Sequence, residues 1–190
     1  MSLEDSIMSK KILVLTGSAR IEGNSNRMAR AFAEAAAAKG NEVKVIDTTK
    51  LKLNFCHGCQ TCYKTGKPCS FDDDFNTIAD DILAADALVF SSPVYWYSIP
   101  SQIKAVIDKM FSFVIGGKED QFFGKECALI CCCEEEESAV LDGVRIPFER
   151  TAALNKWTVV GEVLVPGVFS VGDVDKTDGI AQAAALADKF

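Results

Sequence analysis

The sequence predicts an α/β fold: a three-layer sandwich with five parallel strands in the order 2-1-3-4-5 and helices on both faces. Two observations carry this. Short, nearly continuous apolar runs alternate with longer helical stretches five times over, and strands that are apolar on both sides belong to sheets covered twice. Right-handed crossovers then leave few topologies. The length of 190 residues suits one such domain, with residues 1–9 as a flexible or foreign extension and Met8 as a second candidate start.

The elements follow in order. Residues 11–16 form a buried strand and end in a Gly-Ser turn. Residues 24–39 are Ala-rich and helical, stopped by Gly40. Residues 42–47 alternate as a second strand, and an irregular Cys-rich stretch runs to about Ser70. A helix opened by acids covers 72–84, since carboxylates suit a helix N-terminus. Residues 87–90 form a third strand ending in Ser91-Ser92-Pro93. An amphipathic helix covers 100–113 with Pro100 in its first turn. Residues 127–133 form a fourth strand. Residues 138–156 are helical with interruptions at Gly143 and Pro147. A strand over 158–165 and a closing helix over 177–190 complete the chain.

Composition narrows function. The formal net charge is −7, 48% of residues are hydrophobic and 25% are charged. No basic tract is present, which argues against nucleic acid or an anionic membrane as partner. No apolar run approaches the roughly 18 residues that cross a bilayer. The polar, acidic start lacks the marks of a secretory signal, so the expected location is the cytoplasm. Eight cysteines there are expected as thiols, redox groups or metal ligands more than structural disulfides.

In an open parallel sheet, ligands bind at the carboxyl edge where strand order reverses. That selects the loops after Thr16, Phe90 and Cys133. The first, residues 17–26, offers Ser18 and Ser25 hydroxyls, the Asn24 and Asn26 amides and the Arg20 guanidinium at a helix start. Free N–H groups and partial positive charge favour an anion there. The loop matches neither the Walker pattern nor G-x-G-x-x-G. A plain turn capped by Asn24 is the alternative. The second loop, Pro93-Val94-Tyr95-Trp96-Tyr97-Ser98, places three aromatics in a row. They cover something flat, or form a packing or subunit-contact patch.

Together these loops give the chain its resemblance to the NADPH-dependent FMN reductase family of flavodoxin-like proteins. The segments that carry it are Gly-Ser-x-Arg-x-x-Gly-Asn-Ser at 17–25 and Ser-Pro-Val-Tyr-Trp-Tyr-Ser-Ile-Pro-Ser-Gln-Ile-Lys-Ala-Val-Ile-Asp-Lys at 92–109. The resemblance implies that Ser18, Arg20, Asn24 and Ser25 hold the FMN phosphate. It implies that Pro93, Val94, Tyr95, Trp96 and Ser98 line the isoalloxazine. It also implies electron flow from NAD(P)H through FMN to a small-molecule or protein acceptor, in a homo-dimer or homo-tetramer. The flavin carries such chemistry itself, so no catalytic acid or base is named.

Cys56, Cys59, Cys62 and Cys69 can converge on one centre. Their spacing resembles the compact motif of the iron–sulfur flavoproteins, a branch of the same fold that carries a [4Fe–4S] cluster beside FMN. Zinc, or redox-active thiols without metal, are the alternatives. The strand cysteines Cys127, Cys131, Cys132 and Cys133 read as small buried hydrophobes. Glu134 to Glu137 depart from the small-residue loop of the family. As a solvated face they are unremarkable. Near a flavin they would lower its potential and repel a dinucleotide phosphate. The readings are therefore an FMN-dependent reductase, an iron–sulfur electron carrier, or a binding protein that has lost flavin chemistry.

Overall fold

The computed structural model describes residues 9–190, so the expected extension lies outside the described residues except for Ser9. Strands β1 (Lys11–Thr16), β2 (Glu42–Asp47), β3 (Ala87–Pro93), β4 (Glu126–Cys132) and β5 (Thr158–Val165) form one parallel sheet in the order β2-β1-β3-β4-β5. The predicted order is the observed one. Helix α1 (Asn24–Ala38) and helix α7 (Gly179–Leu186) cover one face. Helices α2 (Phe75–Ala84), α3 (Ser101–Lys109), α4 (Phe111–Ile115), α5 (Glu119–Phe122) and α6 (Asp142–Leu154) cover the other.

The sheet forms because its central strands are apolar on both sides. β3 and β4 are buried along nearly their whole length. Met28 and Phe32 of α1 pack with Val14, Val89 and Ile130 on one face. Phe75, Ile82, Phe113 and Phe122 pack with Leu15, Leu88 and Leu129 on the other. Each such side chain contributes about 1.5–3 kcal/mol by leaving water. A register shift between Cys127 and Ala128 bends the outer edge of the sheet at β5.

Several boundaries differ from the sequence expectation, each for a physical reason. The expected helix over 100–113 is two helices broken at Met110. Lys109, Met110, Ser112 and Phe113 are all buried. One straight helix on a layer buries only a stripe, so the chain turns to bury all four. The acids expected to open α2 precede it. Asp74 accepts from the Lys52 N–H at 2.7 Å, and Asp73 from the Asn54 N–H at 2.9 Å. They tie the Cys-rich segment down, and Asp73 also opens the helix, its Oδ1 accepting from the Phe75 N–H at 3.2 Å. Gly143 and Pro147 do not interrupt α6. The only intrahelical bond Pro147 forfeits is the one to the Gly143 carbonyl, in the first turn. Residues 138–141 are a separate 3₁₀ turn. The closing helix begins at Gly179, and a 3₁₀ turn at Asp173–Lys176 precedes it.

Candidate functional site

The carboxyl ends of β1 and β3 are tied together where the strand order reverses. The Gly17 N–H donates to the Ser91 carbonyl at 2.8 Å. A Cβ on Gly17 would meet Ile103 of α3 at 2.9 Å, and one on Gly23 would meet Ser18 Oγ at 2.7 Å. Both glycines therefore permit close packing of the first loop. Gly23 caps α1 with no side-chain bond. Among the described residues, the first helical N–H groups, those of Asn24, Ser25 and Asn26, donate to no backbone carbonyl, and the Ser25 N–H faces only the Cys132 sulfur. Ser25 Oγ is likewise buried without a partner. A helix start whose donors are unspent, with a buried hydroxyl beside them, is built to receive an anion.

The polar side chains of this loop divide into two groups. Ser18, Arg20, Asn24 and Ser25 line the cleft above the helix start. Asn26 does not: its amide donates to the Arg20 carbonyl at 3.0 Å and holds the loop in shape. Asn24 faces the cleft but is already engaged with the loop after β5. It donates to the Ser170 carbonyl at 3.0 Å and accepts from the N–H of Gly172 and Val174. Arg20 leans the same way, bonding the Phe169 carbonyl at 2.8 Å and standing 5.3 Å over its ring. The loop over 166–172 is thus a fourth wall, which sequence reasoning missed because the switch-point rule points to β1 and β3. Its readable signal is the Pro166-Gly167 turn straight after a strand.

The second loop is a tight hairpin. Tyr95 and Ser98 exchange backbone bonds of 2.8 and 3.0 Å, which leaves Trp96 and Tyr97 at its tip. Both tip residues have positive φ, 49° and 61°. Asn-Gly is the usual content of such a turn, and bulky aromatics there cost of order 1–3 kcal/mol each. Trp96 is 95% exposed and Tyr97 61%. Strain and exposure together mean that the fold does not need these rings where they stand. Pro93, Val94, Tyr95, Trp96 and Tyr97 line the cleft, while Ser98 closes the hairpin from behind. The backbone of Tyr97 rests on α6, where a Cβ on Gly143 would run into its carbonyl oxygen.

The resulting cleft has a volume of about 490 Å³, within the range of small-molecule sites. Cys132, Cys133, Glu134 and Glu135 from the end of β4 complete it. Cys132 is a buried thiol whose pKa is pushed up to about 12, by burial first and by Cys133 second. It is a neutral wall.

Cys56, Cys59, Cys62 and Cys69 line one separate, small cavity of about 20 Å³ against the end of α3. It shares no lining residue with the cleft. All four are free thiols; Cys56 and Cys59 are exposed and Cys69 is buried. Cys59 is shifted toward thiolate by hydrogen bonds to Thr61, whose Oγ1 lies 3.0 Å away, whereas burial pushes Cys62 up. Burial opposes the charge of Lys109, but Asp73 and Cys69 outweigh it and raise its pKa. Among the described residues, no three Cys, His, Asp or Glu side chains already stand in metal-binding geometry. What fits here is the donor chemistry: four thiols on one cavity.

A doubly wound sheet with an anion-ready helix start and a flat aromatic cleft at its switch point defines a mononucleotide-binding protein of the open α/β class. The chain belongs to the NADPH-dependent FMN reductase family, which it matches over residues 10–165, and it is an FMN-dependent oxidoreductase. It is 28% identical over 190 residues to an iron–sulfur flavoprotein of Archaeoglobus fulgidus, covering 95% of this chain and 80% of that one. It is 34% identical over 106 residues to an iron–sulfur flavoprotein of Methanocaldococcus jannaschii, covering 56% of this chain and 54% of the relative. That second match thus spans about half the relative's length. Among solved structures, the Trp repressor binding protein of Bacillus subtilis superposes with a TM-score of 0.70 at 20% identity, covering 92% of this chain and 99% of that one. The NAD(P)H:quinone oxidoreductase of Methanothermobacter marburgensis gives 0.67 at 15%, covering 94% and 98%. At these identities the structures establish the shared fold.

Proposed function

We propose that the cleft holds FMN, with the phosphate at the start of α1 and the flavin ring against the Tyr95–Tyr97 hairpin. The observation that carries this reading is the buried, unpartnered Ser25 Oγ beside the unspent N–H groups of α1. Ser18, Ser25 and Arg20 then hold the phosphate. Asn24 acts through the loop that it pins, because its amide is already committed. Bound there, FMN supplies two-electron chemistry at its ring. The protein's share is to place the ring, keep neutral thiols beside it and set the charge at the rim.

Glu134 and Glu135 are that charge. Exposed carboxylates on the cleft wall disfavour a dinucleotide phosphate, so they weigh against a nicotinamide dinucleotide, NADPH with its extra phosphate most of all, and toward a protein donor. The four thiols on one cavity favour the more specific reading: an iron–sulfur flavoprotein with a [4Fe–4S] cluster held by Cys56, Cys59, Cys62 and Cys69. It would pass electrons between FMN and a redox partner. The kinship with the Archaeoglobus fulgidus iron–sulfur flavoprotein supports this.

The test for FMN is fluorescence titration with FMN and riboflavin. Charge-assisted bonds to phosphate contribute about 1.5–3 kcal/mol each. Ser25→Ala and Arg20→Ala are therefore expected to weaken FMN binding about tenfold or more, and to leave riboflavin binding nearly unchanged. Equal FMN affinity in both variants and the parent would overturn the phosphate assignment. The visible spectrum of anaerobically purified protein tests the cluster, through broad absorption that bleaches with dithionite.

A further inference from the structure

The wall of the thiol cavity opposite the cysteine loop carries two hydrogen-bond donors whose placement the flavin site does not explain. Lys109, the last residue of α3, is 2% exposed. Its Nζ lies 2.8 Å from Asp73 Oδ2 and 3.2 Å from Cys69 Sγ. The rings of Phe71 and Phe75 stand 5.4 and 5.9 Å from the ammonium. Three residues on, Ser112 is also 2% exposed, and its Oγ has no partner among the described residues although it lines the same cavity.

Burying an ammonium is costly unless it is paired. Asp73 supplies the pair and leaves it formally neutral. A neutral pair would be just as well served at the surface, as the exposed Lys104–Asp108 pair on the same helix shows. The buried position instead brings a further N–H of Lys109 onto the sulfur of Cys69. A buried serine hydroxyl without an acceptor costs about 1–3 kcal/mol, and the cavity Ser112 lines is the one the four thiols line. Both donors come from the Lys109–Ser112 segment, where the helix breaks at Met110. Three residues apart and joined through a Met110 that keeps helical dihedrals, the two side chains share one face.

We propose that Lys109 and Ser112 are positioning residues for the iron–sulfur cluster. Lys109 donates to the Cys69 sulfur, Ser112 donates to a neighbouring sulfur of the bound cluster, and together they raise its reduction potential. The proposal rests on the cluster reading given above. Hydrogen bonds to cluster sulfurs withdraw electron density and favour the more negative, reduced state, and partners of metal ligands also govern metal retention.

The experiment uses the full chain reconstituted anaerobically with iron and sulfide. It measures iron per chain, thermal melting, and the cluster midpoint by potentiometric titration followed by electron paramagnetic resonance. Ser112→Ala is expected to keep its iron and its melting temperature while the midpoint moves negative. A threefold to tenfold change in the reduction equilibrium is expected, where tenfold is ~59 mV for one electron. Lys109→Met paired with Asp73→Asn removes both charges, so no buried carboxylate is stranded. It is expected to shift the midpoint further and to lose iron faster to a chelator. Lys109→Arg, which keeps a charged donor, is expected to recover most of the shift. Midpoints unchanged in Ser112→Ala and in the double variant, at parental iron content, would overturn the donor roles alone. A parent chain that binds FMN but retains no iron would overturn the cluster reading, and the donor roles with it.

Discussion

Thiol chemistry separates the eight cysteines more sharply than their spacing does. Cys59 is exposed and drawn toward thiolate by Thr61. Cys127 is pushed up to about 12 by burial and then by Glu162, and burial takes Cys131 further still. Since the thiolate is the nucleophile, a chromogenic disulfide reagent at pH 7.5 is expected to label Cys59 first in the metal-free protein. Cys127, Cys131 and Cys132 should react only after denaturant is added. Rapid labelling of Cys131 in the folded state would contradict the burial described. Glu162 gives a second outcome at this scale. Its Oε1 is buried without a partner, and burial first, then Glu149, raises its pKa. Above the ordinary carboxylate value the folded chain then holds more of this proton than the unfolded chain does. Stability therefore falls as pH climbs from about 4.3 through the raised folded value. Glu162→Gln is expected to melt a few degrees higher than the parent at pH 7 and to match it near pH 4, by calorimetry across that range.

Among the elements, the hairpin and α6 form a unit that depends on one absent side chain. Gly143→Ala would drive a methyl group into the Tyr97 carbonyl. The contact is with backbone, so the hairpin must shift rather than a rotamer. The expected result is a loss of about 1–3 kcal/mol of stability, typical of overpacking, with FMN affinity reduced severalfold. Unchanged affinity would show that the hairpin does not position the ring. The strands and their order were legible from the sequence because each is a short apolar run and few topologies are permitted. The first two loops of the site were legible because Ser25 and Trp96 are costly residues without a ligand. Other features depend on tertiary contacts and leave no local trace. Burial on several sides breaks the helix at Met110. Asp73 and Asp74 bind the preceding segment in addition to the Asp73 contact that opens α2. Asn24 is claimed by a loop 146 residues away in the chain. Most of the apolar stretch over 110–123 is explained by the core, since Met110, Phe113 and Phe122 are buried and only Phe111 and Ile115 stand out.

On the scale of the whole molecule, the hairpin holds three exposed aromatics in a row, Tyr95, Trp96 and Tyr97, and Phe111 and Ile115 of α4 are exposed as well. A symmetric homo-oligomer covering the hairpin is the expected arrangement. Light scattering at micromolar concentration should give a dimer or tetramer, and Trp96→Glu should shift it toward monomer; a monomeric parent would refute this. No helix among the described residues is long and apolar enough to cross a membrane. The cleft and the thiol cavity are joined by α3, which starts four residues after Tyr97 and ends on Lys109. Nine helical residues make a ruler of about 13 Å, and each residue turns the chain by about 100°. Inserting or deleting a single codon within 101–109 would leave a helix of nearly the same stability, yet swing Lys109 away from Cys69. In the irregular stretch around Lys64–Gly66 the same change would be absorbed by the backbone. Over evolutionary time, length variation in this lineage should therefore accumulate in the cysteine loop and be purged from the helix beside it.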